Sequence, residues 1–146
     1  MLGLKYNRNE VSTSSTESHR AKKLSAISFK GVFMKENKLA DLSMDFAVKA
    51  LELTNEIEGH YSLKNQFERS ATSIGANIRE ANYAQSKADF LSKLQISLKE
   101  CYETEYWLEL FIRAKILPAE KVKRLLHDSG EIRKLLVSSV NTLKNK

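Results

Sequence analysis

Residues 69–110 read RSATSIGANIREANYAQSKADFLSKLQISLKECYETEYWLEL, two helix-length patterns separated by a break. Into and through the first half, Leu63, Phe67, Ser70, Ala71, Ile74, Ile78 and Ala81 recur at steps of three and four, with Arg69, Arg79 and Glu80 between them. Such a recurrence places the small and apolar side chains on one face of an α-helix. After Asn82 and Tyr83 the phase is lost. Ser86, followed three residues later by Asp89, has the form of a capping box with aspartate where Glu or Gln is usual. A second helix starts there, and its stripe runs Phe90, Leu94, Ser97, Leu98, Cys101, Leu108, Phe111 and Ile112. The pair reads as an antiparallel helical hairpin.

Outward from the hairpin, two more helices are expected. Over about residues 36–58, Leu39, Leu42, Phe46, Ala50, Leu53 and Ile57 form one stripe, while Ala40, Met44, Ala47, Val48 and Leu51 lie to another side. Only a narrow strip, Lys38, Asp41, Asp45, Lys49, Glu52 and Glu56, is charged. A helix in a four-helix bundle buries one stripe. The second apolar side, with Met44, Val48 and Leu51, therefore needs a further partner, most simply another subunit. Gly59 and His60 end this helix, and Ser62 is placed to cap the next, expected to run to about residue 83. In that second helix Ser70, Ala71, Ser73, Gly75, Ala76 and Ala81 are small enough to admit a neighbouring backbone. Gly75 costs about 1 kcal/mol against alanine, which either a tight contact or plain solvent exposure would explain.

The third helix, about residues 87–114, turns Ile96, Trp107 and Leu110 outward beside Glu100 and Glu103. These three join the interface candidates, and Trp107 is either an anchor for a second subunit or a contact within its own bundle. Pro118 takes the first position of a fourth helix, with the stripe Val122, Leu125, Ile132, Leu136, Val140 and Leu143. Its outer side carries Lys123, Arg124, His127 and Lys134, interrupted by Asp128 and Glu131. Such a run is either a solvated face or a nucleic-acid contact.

Residues 1–33 differ in kind. They lack a sustained period, cluster hydroxyls at Ser12, Thr13, Ser14, Ser15, Thr16 and Ser18, and set Lys5, Arg8, Arg20, Lys22, Lys23 and Lys30 against only Glu10 and Glu17. This composition predicts a disordered basic tail ahead of a bundle domain over residues 34–146. Because Met34 opens the helical part, the tail reads either as sequence upstream of the natural start or as a basic arm for nucleic acid. Most of the net charge of +6 on the 146 residues sits in the tail, so bulk charge is a weak argument for nucleic-acid binding by the bundle. One proline and five glycines favour a few long helices over many strands. The helical patterns give an all-α fold class, four helices in a single domain.

Two blocks of the hairpin carry a resemblance. Arg69, Ser70, Ala71, Ser73, Ile74, Ala76, Asn77, Ile78, Glu80 and Ala81 form the first; Asp89 to Leu94, Lys99 with Glu100, and Glu103 to Leu108 form the second. In order and spacing the chain resembles the four helix bundle proteins encoded by intervening sequences of bacterial 23S ribosomal RNA genes, from about residue 38 to the C-terminus. The resemblance implies an antiparallel up-down four-helix bundle that assembles into a ring of five subunits. Related retroelement accessory proteins of the same fold bind nucleic acid through a basic surface, whereas the intervening-sequence proteins themselves have no settled activity.

Constellations that carry chemistry are sparse. A di-metal bundle site needs inward Glu-x-x-His pairs, but Thr16, Ile57 and Arg124 stand three residues before His19, His60 and His127. Cys101, the single cysteine, lies on a core stripe and reads as a small buried hydrophobe. Glu100, Glu103 and Glu105 have no imidazole beside them and are expected to pair with basic residues such as Arg69 and Arg79. Arg69, Ser73, Asn77 and Glu80 share one edge of the second helix, which with Glu100 and Glu103 reads as a structural edge setting helix register. There is no Gly-rich phosphate loop, no Cys-x-x-Cys, no nucleophile elbow, no transmembrane-length apolar run and no signal-peptide core. The expectation is a cytoplasmic, non-enzymatic homo-oligomer without cofactor, metal, membrane contact or small-molecule substrate. It would bind RNA or DNA through Lys123, Arg124 and Lys134. The alternative is an oligomeric scaffold or adaptor for another protein, using the second apolar side of the first helix and an exposed Trp107.

Overall fold

The computed structural model describes residues 38–145; the expected tail and the beginning of the first helix lie outside them. Four helices follow one another: α1 (residues 38–54), α2 (Tyr61–Ala81), α3 (Lys87–Arg113) and α4 (Ala119–Lys144), with no strand among the described residues. Across α2 and α3, Glu80 bonds Lys93, the Ile74 carbonyl accepts from Ser97, and Ser70 meets Thr104. Between α1 with the turn that follows it and α4, Lys49 bonds Asp128 and Glu56 bonds Lys121. Both sets pair residues in opposite chain order, as antiparallel neighbours must.

The four stripes meet in one core. Leu39, Phe46, Ala50 and Leu53 from α1 join Phe67, Ile74 and Ile78 from α2, Leu94, Leu108 and Phe111 from α3, and Val122, Ile132 and Leu136 from α4. Phe67 and Phe111 pack edge to face with ring centroids 5.4 Å apart, a geometry that adds about 1 kcal/mol to their burial. Leu42, Leu63, Leu98 and Ile112, expected on the stripes, lie half-buried at the core margin. Thr104 fills the gap between Cys101 and Leu108 in the α3 stripe and is fully buried.

Small residues let the helices close tightly. A Cβ on Gly75 would lie 3.1 Å from Ser43 Oγ of α1, so the contact reading of this glycine holds and the solvent reading does not. Ser97 Oγ donates to the Ile74 carbonyl at 2.9 Å, and Thr104 Oγ1 lies 3.0 Å from Ser70 Oγ and 2.8 Å from the Glu100 carbonyl. Hydroxyls satisfied in this way can be buried without the penalty of an unpaired polar group.

The helix ends depart from expectation in small ways. α1 stops at residue 54, four short of the expected end, because Asn55, Glu56 and Ile57 bond back to residues 52–54 in tighter turns. Ile57 still reaches the core. Ser62 is not the cap of α2; His60 takes that position with φ of 49°, next to Gly59 at 67°, and these two successive left-handed residues reverse the chain and start the helix at Tyr61, so Ser62 already lies inside it. α2 ends at Ala81, two residues early, and Pro118 caps α4 rather than beginning it. Ser86 Oγ accepts from the Asp89 N–H at 3.1 Å as the capping box requires, while Asp89 accepts in return from Gln85 N–H at 3.2 Å.

Candidate assembly and nucleic-acid surfaces

On α1 the spacing that sends Phe46 and Leu53 inward sends Met44, Val48 and Leu51 the other way. Their relative exposures are 51, 50 and 44%, so about half of each side chain stays in water. Steps of four and three put them in one row. The charged strip lies at the α1–α4 edge, where Lys49 bonds Asp128 at 3.0 Å and Glu56 pairs with Lys121. Burial alone would raise the Asp128 carboxyl, yet the Lys49 hydrogen bond and charge hold it below its ordinary value. The cleft at this edge, lined by Asp45, Phe46, Lys49, Asp128, Glu131 and Ile132, measures about 120 Å³, well short of a ligand pocket.

The outer face of α3 is less open than expected. Ile96 is exposed, but Leu110 is half-buried and Trp107 packs against the core of its own bundle. Trp107 Nε1 donates to Glu103 Oε1 at 3.2 Å, and its ring meets Tyr106 edge-on at 5.0 Å. An exposed Trp107 is therefore corrected to an intramolecular contact, because the i, i+4 spacing to Glu103 gives the indole N–H a partner within the helix.

The polar edge of α2 faces this part of α3. Asn77 Nδ2 donates to the Ser73 carbonyl at 2.8 Å, and Glu80 accepts from Lys93 at 2.6 Å, which raises the Lys93 ammonium above its ordinary value. Burial lifts the Glu100 carboxyl above its usual range and Glu103 adds to the rise, while the Arg69 charge opposes it. Arg69, Glu100 and Glu103 thus lie near one another, but no ion pair joins them among the described residues. The expected partner of Glu105 is also corrected. Arg133 of α4, not Arg69 or Arg79, grips it with Nε 3.1 Å from both carboxylate oxygens.

On α4, Lys123 and Arg124 are exposed and have no ion-pair partner among the described residues. Lys134 does have one. It donates to Glu131 at 2.9 Å, one turn away, and this bond holds the Glu131 carboxyl below its usual range. Lys134 is therefore the weakest of the three nucleic-acid candidates. Two further cations at the α3–α4 connection, Arg113 and Lys115, went unremarked in sequence, although the run RAKILPAEKVKR over residues 113–124 displays them. Lys115 stands at φ of 58° in the turn and also lacks an ion-pair partner among the described residues.

Cys101 is fully buried, its Sγ donating to the Ser129 carbonyl at 3.3 Å, and burial pushes its thiol up to about 12, with Glu105 adding to the rise. Among the described residues no three His, Cys, Asp or Glu side chains converge as metal ligands, and no helix is long and apolar enough to cross a membrane.

A closed helical bundle with a bare apolar row and a basic corner defines the class as a small all-helical bundle protein. Over residues 35–138 the chain matches the 23S rRNA-intervening sequence protein family, and it belongs to that family. It is similar to a crystallised protein of unknown function from the S23 ribosomal protein family of Bacteroides thetaiotaomicron VPI-5482. The two share 47% identity and a TM-score of 0.69, over 73% of this chain and 98% of the other. No curated protein matches the sequence.

Proposed function

We propose that this protein is a non-enzymatic, cytoplasmic homo-oligomer, a ring of five subunits, that binds RNA or DNA. Charge segregation carries the binding half. Residues 113–124 hold Arg113, Lys115, Lys121, Lys123 and Arg124 against Glu120; Glu109 pairs with Arg113 and Glu56 with Lys121, so Lys115, Lys123 and Arg124 are the cations without an ion pair among the described residues, while acidic residues outnumber basic ones over the rest of the described bundle. A nearly neutral bundle with one basic corner directs a phosphate backbone to that corner. The row Met44, Val48 and Leu51 supports assembly, because burying each such side chain fully is worth about 1.5–3 kcal/mol.

Anisotropy of labelled 20-nucleotide RNA and DNA, measured across a salt series, tests the binding. Affinity should fall steeply with salt, and Lys115→Gln, Lys123→Gln and Arg124→Gln together should flatten the log–log slope by about 2. Absence of salt-dependent binding, or binding that ignores the triple change, would overturn the basic-corner assignment. The exposed α1 row favours one second reading, a scaffold whose ligand is another protein, and binding then would depend little on salt.

A further inference from the structure

Tyr61, Tyr83, Tyr102 and Tyr106 all stay exposed, but only the last two share a helix face. They stand one turn apart on α3, about 6 Å along the axis at ~1.5 Å per residue, and are 52 and 59% exposed. Each is fixed on one side. The Arg133 guanidinium lies 5.7 Å from the centre of the Tyr102 ring, and Glu105 anchors that guanidinium while it passes over Gly130. Tyr106 is braced edge-on by Trp107 at 71° between ring planes. The remaining surface of each ring meets water, so two aromatic platforms are oriented in advance without being used inside the bundle.

Steps of three and four extend this row to Lys99 on one side and to Glu109 and Arg113 on the other. Glu109 is offset by Arg113, 3.8 Å away, and Arg113 opens onto the basic corner. We propose that Tyr102 and Tyr106 are base-stacking platforms of a track for single-stranded nucleic acid that runs along α3 into that corner. This rests on the nucleic-acid reading above and adds strandedness to it. The two side chains leave the helix about 6 Å apart along its axis, more than the ~3.4 Å rise between stacked bases, so the spacing suits a strand whose bases are splayed apart, which a duplex cannot offer. Lys99 at one end of the row and, beyond Arg113 at the other, Lys115 and the unpaired cations of the basic corner favour a polyanion over an apolar protein partner.

The full chain should be titrated with labelled 12-nucleotide oligo-dT and oligo-U and with a 12-base-pair duplex. Tyr102→Ala with Tyr106→Ala should weaken single-strand binding by at least about 25-fold, roughly fivefold per ring, without changing the salt slope. Tyr102→Phe with Tyr106→Phe should stay within about twofold, because the stacking face is kept. Both pairs occupy exposed positions and should leave the fold and particle mass unchanged. Unchanged affinity in the alanine pair, an equal loss for duplex, or an equal loss in the phenylalanine pair would overturn the track. So would a changed particle mass in the alanine pair, which would make this face a contact between copies. If the native chain binds no nucleic acid at all, the parent reading fails too; if it binds and the alanine pair matches it, only the track fails.

Discussion

Between α2 and α3, Ser70, Ser97 and Thr104 are buried with their hydroxyls bonded, while on the far side of α1, Met44, Val48 and Leu51 stand half in water. Polar groups inside and apolar groups outside invert the usual arrangement. The difference teaches where the subunit is finished. Small hydroxyls permit a close helix approach and are satisfied there, so the α2–α3 seam needs nothing further. The α1 row has no counterpart among the described residues, and that is the gap the proposed assembly would fill.

The strongest way to break this contrast is to charge the row. Val48→Lys with Leu51→Lys should convert the oligomer to monomer by light scattering at micromolar concentration while the helical circular dichroism signal persists, since Phe46 and Leu53 remain packed. An unaltered particle, or a native chain that is already monomeric, would refute the interface. A smaller effect sharpens the other side of the comparison. Gly75→Leu drives a side chain into the space held by Ser43 and should cost about 1–3 kcal/mol in urea unfolding; no loss would mean that the α1–α2 approach is not tight. The smallest effect concerns the α1–α4 edge. A carboxyl lowered in the folded state adds stability above its unfolded value, and that contribution is lost as pH falls through the folded one. Asp128→Asn should therefore cost less than about 1 kcal/mol at neutral pH, and its thermal midpoint should converge on that of the native chain as pH drops below the carboxylate range. A constant gap at all pH values would assign the loss to packing instead of charge.

Much of this fold was legible because burial repeats with the helix. The α2 stripe from Phe67 to Ala81 is buried at nearly every expected position, and the bare side of α1 was visible as surplus apolar residues. Ser62 failed as a cap because a left-handed Gly59–His60 pair sets the turn, and backbone handedness leaves little trace in side-chain pattern. Trp107 and Lys134 have partners that the sequence pattern does not show, for a shared reason. Each finds a carboxylate on its own helix, and periodicity sorts residues by face without saying which polar neighbours meet. Glu105 was matched to arginines on α2, whereas pairing across α3 and α4 depends on the relative height of two helices. Only Lys123 and Arg124 of the basic corner stand out in the sequence, because its other cations, Arg113, Lys115 and Lys121, are divided between the end of one helix, a turn and the start of the next.

Cys101 makes the bundle its own clock. A thiol that ionises only near 12 and is sealed from solvent reacts with an alkylating or disulfide reagent when α3 and α4 part. As the chain has no other cysteine, its labelling rate reads the frequency of core opening at a single site without any engineered probe. The proposed assembly and the proposed nucleic-acid binding can each be tested on that same scale by whether they slow the reaction.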